Sequence, residues 1–281
     1  MTPVNDFFWA MHQAEVSSPE WTEDLLVRVT KVLSHEPRLI HLPEGPLVFV
    51  GDTHGDWEAT KSLLAQYWDS PTTLVFLGDY VDRGPHQIEN INLLFELKCQ
   101  APERIILLRG NHEVKSVNQR YGFYSEVTDK LGDFTEAYAA SFQELPLAAV
   151  SSHRGVFAVH GGIAEGLERL EEIEELPREV ELEHPITFQL LWNDPKENIQ
   201  GFRPNFRGGG SRVFGRDVTE RFFEENDLTL LVRAHEVFEQ GYREFFDGLV
   251  ISLFSCRHYG RPIQGKVLLI GSDGDRQYFS V

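Results

Sequence analysis

Pro46-Leu47-Val48-Phe49-Val50-Gly51-Asp52-Thr53-His54-Gly55 sets a short apolar, β-rich run directly before two metal-ligand residue types. The same construction returns twice. Thr73-Leu74-Val75-Phe76-Leu77 runs into Gly78-Asp79-Tyr80-Val81-Asp82-Arg83-Gly84, and Arg104-Ile105-Ile106-Leu107-Leu108 precedes Gly110-Asn111-His112-Glu113. Runs this short and this rich in β-formers read as buried strands. The polar residues therefore fall at strand exits, the edge of an α/β sheet where loops aim several side chains at one point. Carboxylate oxygen and imidazole nitrogen together suit a divalent cation such as manganese, iron or zinc rather than a soft, thiolate-bound metal.

Working outward, residues 20–34 place Trp21, Leu25, Leu26, Val29 and Leu33 on one helical face, with Pro37 ending the pattern. Helices are expected at 57–68 and 87–99, alternating with the three strands in βαβ fashion. Residues 114–143 turn helical, with Tyr121, Phe123, Tyr124, Leu131, Phe134, Tyr138 and Phe142 expected in core contacts. Paired strands at 147–150 and 155–159 deliver His160-Gly161-Gly162 at another strand exit. The glutamate-rich stretch 165–183 reads as a solvated helix over Leu167, Leu170, Ile173 and Leu176. Strands at 228–232, 242–246, 249–254, 266–270 and 277–281 point to a second sheet.

The chain of 281 residues is long enough for a sizeable core, and its 41% hydrophobic and 25% charged composition is that of a folded protein. Its net charge of -18 argues against nucleic acid or an acidic membrane as a general partner. Only Cys99 and Cys256 are present, so no disulfide framework is expected. Phe7-Phe8-Trp9 lacks the basic flank and length of an export signal, and no run approaches the roughly 20 apolar residues of a membrane helix. A cytoplasmic protein is the expectation.

With Trp192-Asn193-Asp194-Pro195, Arg233-Ala234-His235-Glu236 and Leu253-Phe254-Ser255 added, the motifs from Pro46 to Gly260 resemble the phosphoprotein phosphatase family of dinuclear-metal serine/threonine phosphatases. Tyr121-Gly122-Phe123-Tyr124 and Gly241-Tyr242 fit the same family order. The resemblance implies a calcineurin-like metallophosphoesterase fold, an α/β sandwich of two mixed β-sheets flanked by helices. One domain is expected over residues 1–281, with a helical cap at 1–45, the family core at 46–260 and closing strands at 261–281.

By that resemblance Asp52, His54 and Asp79 hold one ion and Asp79, Asn111, His160 and His235 another. Two divalent ions, manganese first with iron or zinc as alternatives, are implied. So is in-line attack on a phosphomonoester by a hydroxide bridging them. Arg83, Asn111, Arg207 and Tyr259 are assigned to the substrate phosphate, and His112 to protonating the leaving group with Asp82 orienting its ring. A phosphoprotein or phosphopeptide is the implied substrate. Glu113 and Glu236 are expected to brace loops.

Two departures stand out. Gly208-Gly209-Gly210 follows Arg207 in a loop one residue longer than the family's, leaving Arg203 or Arg212 as possible substitutes. Ser255-Cys256-Arg257-His258-Tyr259-Gly260 stands where eukaryotic members carry Ser-Ala-Pro-Asn-Tyr-Cys, so toxin sensitivity and substrate-side contacts do not carry over. A cysteine phosphatase needs Arg six positions after Cys256, where Pro262 stands. A dinucleotide polyphosphate hydrolase usually has Ala at position 82 and Asp at position 113. Phosphotyrosine activity in the same fold and an inactive binding scaffold are the remaining alternatives.

Overall fold

In the computed structural model, which describes residues 18–281, the three short apolar runs become strands at the expected places. The segment before Ser18, with Phe7-Phe8-Trp9 and His12, lies outside the described residues. Ser18 caps α1 (Pro19–Ser34), accepting the Trp21 amide at 3.4 Å. β1 (Leu39–His41), β2 (Leu47–Val50), α2 (Trp57–Tyr67), β3 (Thr73–Phe76), α3 (Gln87–Gln100) and β4 (Ile105–Leu107) follow. The helical stretch expected at 114–143 is divided into α4 (Lys115–Tyr121), α5 (Phe123–Lys130) and α6 (Thr135–Glu144). Gly122, at φ 121°, makes the first break.

The second half contains β5 (Ala148–Ser151), β6 (Val156–Val159), α7 (Pro185–Trp192), β7 (Asp194–Pro195), β8 (Phe202–Pro204), β9 (Arg212–Phe214) and α8 (Arg216–Asn226). It closes with β10 (Leu230–Arg233), β11 (Tyr242–Phe245), β12 (Val250–Leu253), β13 (Lys266–Ile270) and β14 (Arg276–Ser280). One mixed sheet runs β1-β5-β6-β10-β12-β11 and another β14-β13-β2-β3-β4. β7, β9 and β8 form a small third sheet that the two-sheet expectation did not include.

Strand alternation divides the apolar residues into three layers. Leu47 and Phe49 of β2 meet Ala149, Ala158, Val232 and Ile251 between the two large sheets. Val48 and Val50 turn outward onto α1, α2, α3, α5 and α6 through Leu26, Leu63, Ile91, Val127 and Phe142. On the far face of the first sheet, Val150, Phe157 and Leu231 pack with Leu190 of α7 and Phe222 of α8. The two sheets thus bring the exits of β2, β3 and β4 beside those of β6 and β10.

Two expectations are corrected. The strands expected at 228–281 do not make a sheet of their own: β10, β11 and β12 join β6, whereas β13 pairs antiparallel with β2. Nor is 165–183 an α-helix; it holds one 3-10 turn, Leu170–Glu175, in otherwise irregular chain. Leu167, Leu170, Ile173 and Leu176 are buried as expected, but they repeat every third residue. That is the period of a 3-10 helix rather than the 3.6 of an α-helix.

Candidate active site

The β2, β3 and β4 exits converge because glycine lets their backbones touch. A Cβ on Gly78 would collide with the Gly110 nitrogen, and one on Gly110 with the Asp79 amide. Glu113 ties the same turns, accepting the amides of Asp79 at 2.8 Å, Tyr80 at 2.9 Å and Gly110 at 2.9 Å. Its role as a brace is as expected. Five non-glycine residues here have left-handed backbones: His54 (φ 41°), Asp79 (55°), Asp82 (66°), Arg83 (71°) and His235 (72°). Each costs on the order of 1–3 kcal/mol and persists only where the surroundings enforce it.

Two donor groups share Asp79: His54, Asp79 and His112 form one, and Asp79, His160 and His235 the other, all buried. His54 Nε2 lies 3.8 Å from Asp52 Oδ2 and 3.7 Å from Asp79 Oδ2. His160 Nε2 lies 3.3 Å from Asp79 Oδ1, 2.9 Å from Asn111 Oδ1 and 3.2 Å from His235 Nδ1. Asp52 Oδ1 accepts the His235 amide at 3.0 Å, linking the first strand exit to the second half of the chain.

The donor chemistry fits divalent cations. Nδ1 of His54 donates to the Val81 carbonyl at 2.7 Å and Nδ1 of His160 to that of Leu77 at 2.9 Å. Their Nε2 atoms are therefore lone pairs turned toward carboxylate and amide oxygens, acceptor facing acceptor. His235 Nε2 is buried without a hydrogen-bond partner. Burial holds the imidazoles of His54, His160 and His235 well below the ordinary histidine range, so they are neutral. Burial, reinforced by the charges of Asp52 and Glu113, pushes the Asp79 carboxyl well up, and burial alone drives that of Asp52 up. Cationic charge between these groups would return the carboxyls to their ionised form.

His112 stands beside this pocket, its Nε2 4.0 Å from Asp79 Oδ2. Its Nδ1 donates to Asp82 Oδ2 at 2.7 Å, and Asp82 also accepts the Phe123 amide at 2.9 Å and Asn118 Nδ2 at 3.2 Å. Asp82 is fully buried and held on three sides, so the ring of His112 has one orientation.

Arg83 lies at the solvent edge, its guanidinium 3.9 Å from the Tyr121 ring and 5.6 Å from that of Tyr259. Tyr259, whose phenol burial pushes up to about 12, also packs 5.3 Å from His54. Arg207 donates through Nε to Asp194 Oδ2 at 2.7 Å, and its charge reaches Asp52 and His235. Of the two possible substitutes, Arg212 bonds Glu165 at 2.8 Å and Arg203 its neighbour's carbonyl at 2.8 Å.

Several residues at the site were not read as such from the sequence. Tyr121, expected in the core, is 39% exposed over Arg83; Tyr124 is also exposed, while Phe123, Tyr138 and Phe142 are buried as expected. Fully buried Arg233 bonds Asp194 Oδ1 at 2.9 Å, Glu236 Oε2 at 2.8 Å and Ser252 Oγ at 3.0 Å, and so supports Asp194 from below. Arg257, in the divergent loop, donates to both oxygens of Asp56, at 2.7 and 3.0 Å, and Asp56 caps α2. Cys256 is no nucleophile: it is buried, its thiol donates to the His258 carbonyl at 2.9 Å, and burial pushes it up to about 12. No helix among the described residues is long and apolar enough to cross a membrane.

The chain is similar to known proteins. The chain is 36% identical over 269 residues to the serine/threonine-protein phosphatase BSL2 of Arabidopsis thaliana, spanning 89% of this chain and 26% of that one. It is 34% identical over 269 residues to the serine/threonine-protein phosphatase PP2A-like PPG1 of Candida albicans, spanning 92% and 64%. This chain thus covers less than two-thirds of either relative's length. A solved protein serine/threonine phosphatase from Saccharomyces cerevisiae, with similarity to human phosphatase PP5, superposes with a TM-score of 0.85 at 27% identity, over 99% of this chain and 94% of that one. Residues 45–238 match the profile of the calcineurin-like phosphoesterases, and the chain belongs to that family.

Proposed function

We propose that the chain is a metal-dependent serine/threonine protein phosphatase that hydrolyses phosphomonoesters in proteins. The observation that carries this reading is Asp79, shared by two donor groups, with His112 of the first bonded through its other ring nitrogen to Asp82. Asp52, His54 and Asp79 would hold one divalent cation, and Asp79, Asn111, His160 and His235 a second. Manganese is the first choice, with iron or zinc compatible with the same donors. When bound, such a pair lowers the pKa of water and neutralises phosphoryl charge.

The chain's own residues do the rest. Arg83 and Arg207 bind the phosphoryl oxygens through planar forks, with Asn111 adding a polar contact from inside the pocket and Tyr259 one at the rim. As water adds to phosphorus and the ester P–O bond opposite breaks, His112 Nε2 gives its proton to the departing serine or threonine oxygen. Asp82, bonded to Nδ1, is the positioning residue and stabilises the charged imidazolium beforehand. Position 82 also separates this reading from a dinucleotide polyphosphate hydrolase, since an alanine there could not orient the ring. The packing of α1 and β13 into the core of β2 supports treating the chain as one catalytic unit.

The test is to strip the protein with a chelator, restore manganese, and compare a phosphoserine peptide with a dinucleotide polyphosphate. Metal-dependent release of phosphate from the peptide is expected. Preference for the dinucleotide, or inactivity toward both, would overturn the reading.

A further inference from the structure

Phe206 is the most exposed large hydrophobic side chain among the described residues, 89% in water against 69% for Val27. An isolated exposed aromatic needs no explanation. This one is held there. Asn205 on one side donates through Nδ2 to Asp194 Oδ2 at 2.8 Å, and Arg207 on the other donates through Nε to the same oxygen at 2.7 Å. Asp194 is itself fixed by buried Arg233 through its second oxygen. The loop neck is closed as well: Asn205 N–H donates to Ser211 O at 3.0 Å, and Gly208 O accepts the Ser211 amide at 3.0 Å and its hydroxyl at 2.7 Å.

The loop is also seated on an aromatic stack that ends at the site. Gly209, at φ 63°, approaches the Phe188 ring so closely that a Cβ would lie 2.8 Å from it. Phe188 stacks on Trp192 at 5.7 Å and 13°, and Trp192 meets His235 edge-on at 5.4 Å. Phe206 is therefore carried on a loop tied twice to the pocket, with the Arg207 guanidinium 5.3 Å from its ring.

We propose that Phe206 determines specificity, as a platform receiving an apolar side chain next to the phosphorylated residue. This rests on the protein-phosphatase reading, with Arg207 on the phosphate. An extended peptide advances about 3.3 Å per residue, so a residue one or two positions from the phosphorylated one falls within reach of a ring this close to Arg207. Covering the ring removes its apolar surface, and that of the substrate side chain, from water.

The test uses the full manganese-loaded chain and three phosphoserine peptides that differ only in the flanking residues: leucine, glycine or aspartate. Wild type is expected to favour the leucine peptide over the glycine peptide by about tenfold in kcat/KM, mostly through KM. Phe206→Ala should bring that ratio close to one, and Phe206→Leu should restore most of it. As a ratio within one preparation, it is insensitive to the fraction of protein folded. A wild-type ratio of one, a ratio unchanged in Phe206→Ala, or preference for aspartate overturns the proposal and leaves the phosphatase reading standing. Wild-type inactivity toward all three peptides overturns both.

Discussion

The pocket around Asp79 and the loop that carries Arg207 are both well anchored, but they hold their residues in opposite surroundings. Asp52, His54, Asp79, Asn111, His160 and His235 are all buried, whereas Phe206 at the tip of its loop is 89% exposed. The pocket draws residues from strands of both large sheets and keeps several in strained backbones, so each side chain is fixed from several directions. The loop is fixed at its neck and through Asp194, and its tip faces water. Changes in the pocket should decide whether phosphate is released; changes in the loop should decide from what.

Asp79→Asn should break that division most strongly, because one carboxylate serves both donor groups. We expect loss of bound metal and a fall in phosphopeptide hydrolysis of about 10⁴-fold, near 5 kcal/mol in the barrier. Metal analysis alongside steady-state kinetics checks both. His112→Asn should retain metal while kcat falls about 10²–10⁴-fold on alkyl phosphates and less on activated aryl phosphates, whose leaving groups need no proton. An emptied metal site in that variant would make His112 a ligand, a role its distance of 4.0 Å from Asp79 also permits.

Arg233→Leu probes the support beneath the loop. It removes the fully buried one of Asp194's two arginine partners and should cost about 3 kcal/mol of stability, read by thermal denaturation. An unchanged melting temperature would mean that the existing bond from Arg207 is enough to hold Asp194. Arg257→Ala should have the smallest effect, below about 1 kcal/mol, since that arginine is partly exposed and Asp56 keeps its bond to the Ala59 amide at 3.1 Å. A larger loss would show the divergent loop to be a structural clamp on α2.

The strands and the polar residues at the exits of β2, β3 and β4 were legible in the sequence because their signals are local, whereas His160 and His235 joined them only through the family resemblance. An apolar run ending in Gly-Asp-Thr-His-Gly states both the strand and what lies at its exit. What escaped was non-local or depended on a fine difference of period. The link from Arg257 to Asp56 spans 201 residues, and nothing in either neighbourhood announces it. Leu167, Leu170, Ile173 and Leu176 suggested an α-helix, although a strict spacing of three favours the tighter turn that forms. Tyr121 looked like its core neighbours Phe123 and Tyr138, and only the break at Gly122 turns it to the cleft over Arg83. The sharing-out of the strands of residues 228–281 between two sheets is a matter of register and crossover, which alternation in one strand does not encode.

In the proposed reaction two divalent cations, each with Asp79 among its donors, would be needed together for phosphoester hydrolysis. Titrating the metal-stripped protein with manganese while counting bound ions and following phosphoserine peptide hydrolysis tests it most directly. Two ions per chain are expected, with activity appearing as the second site fills. Full activity in the stripped protein, or with one ion bound, would contradict it.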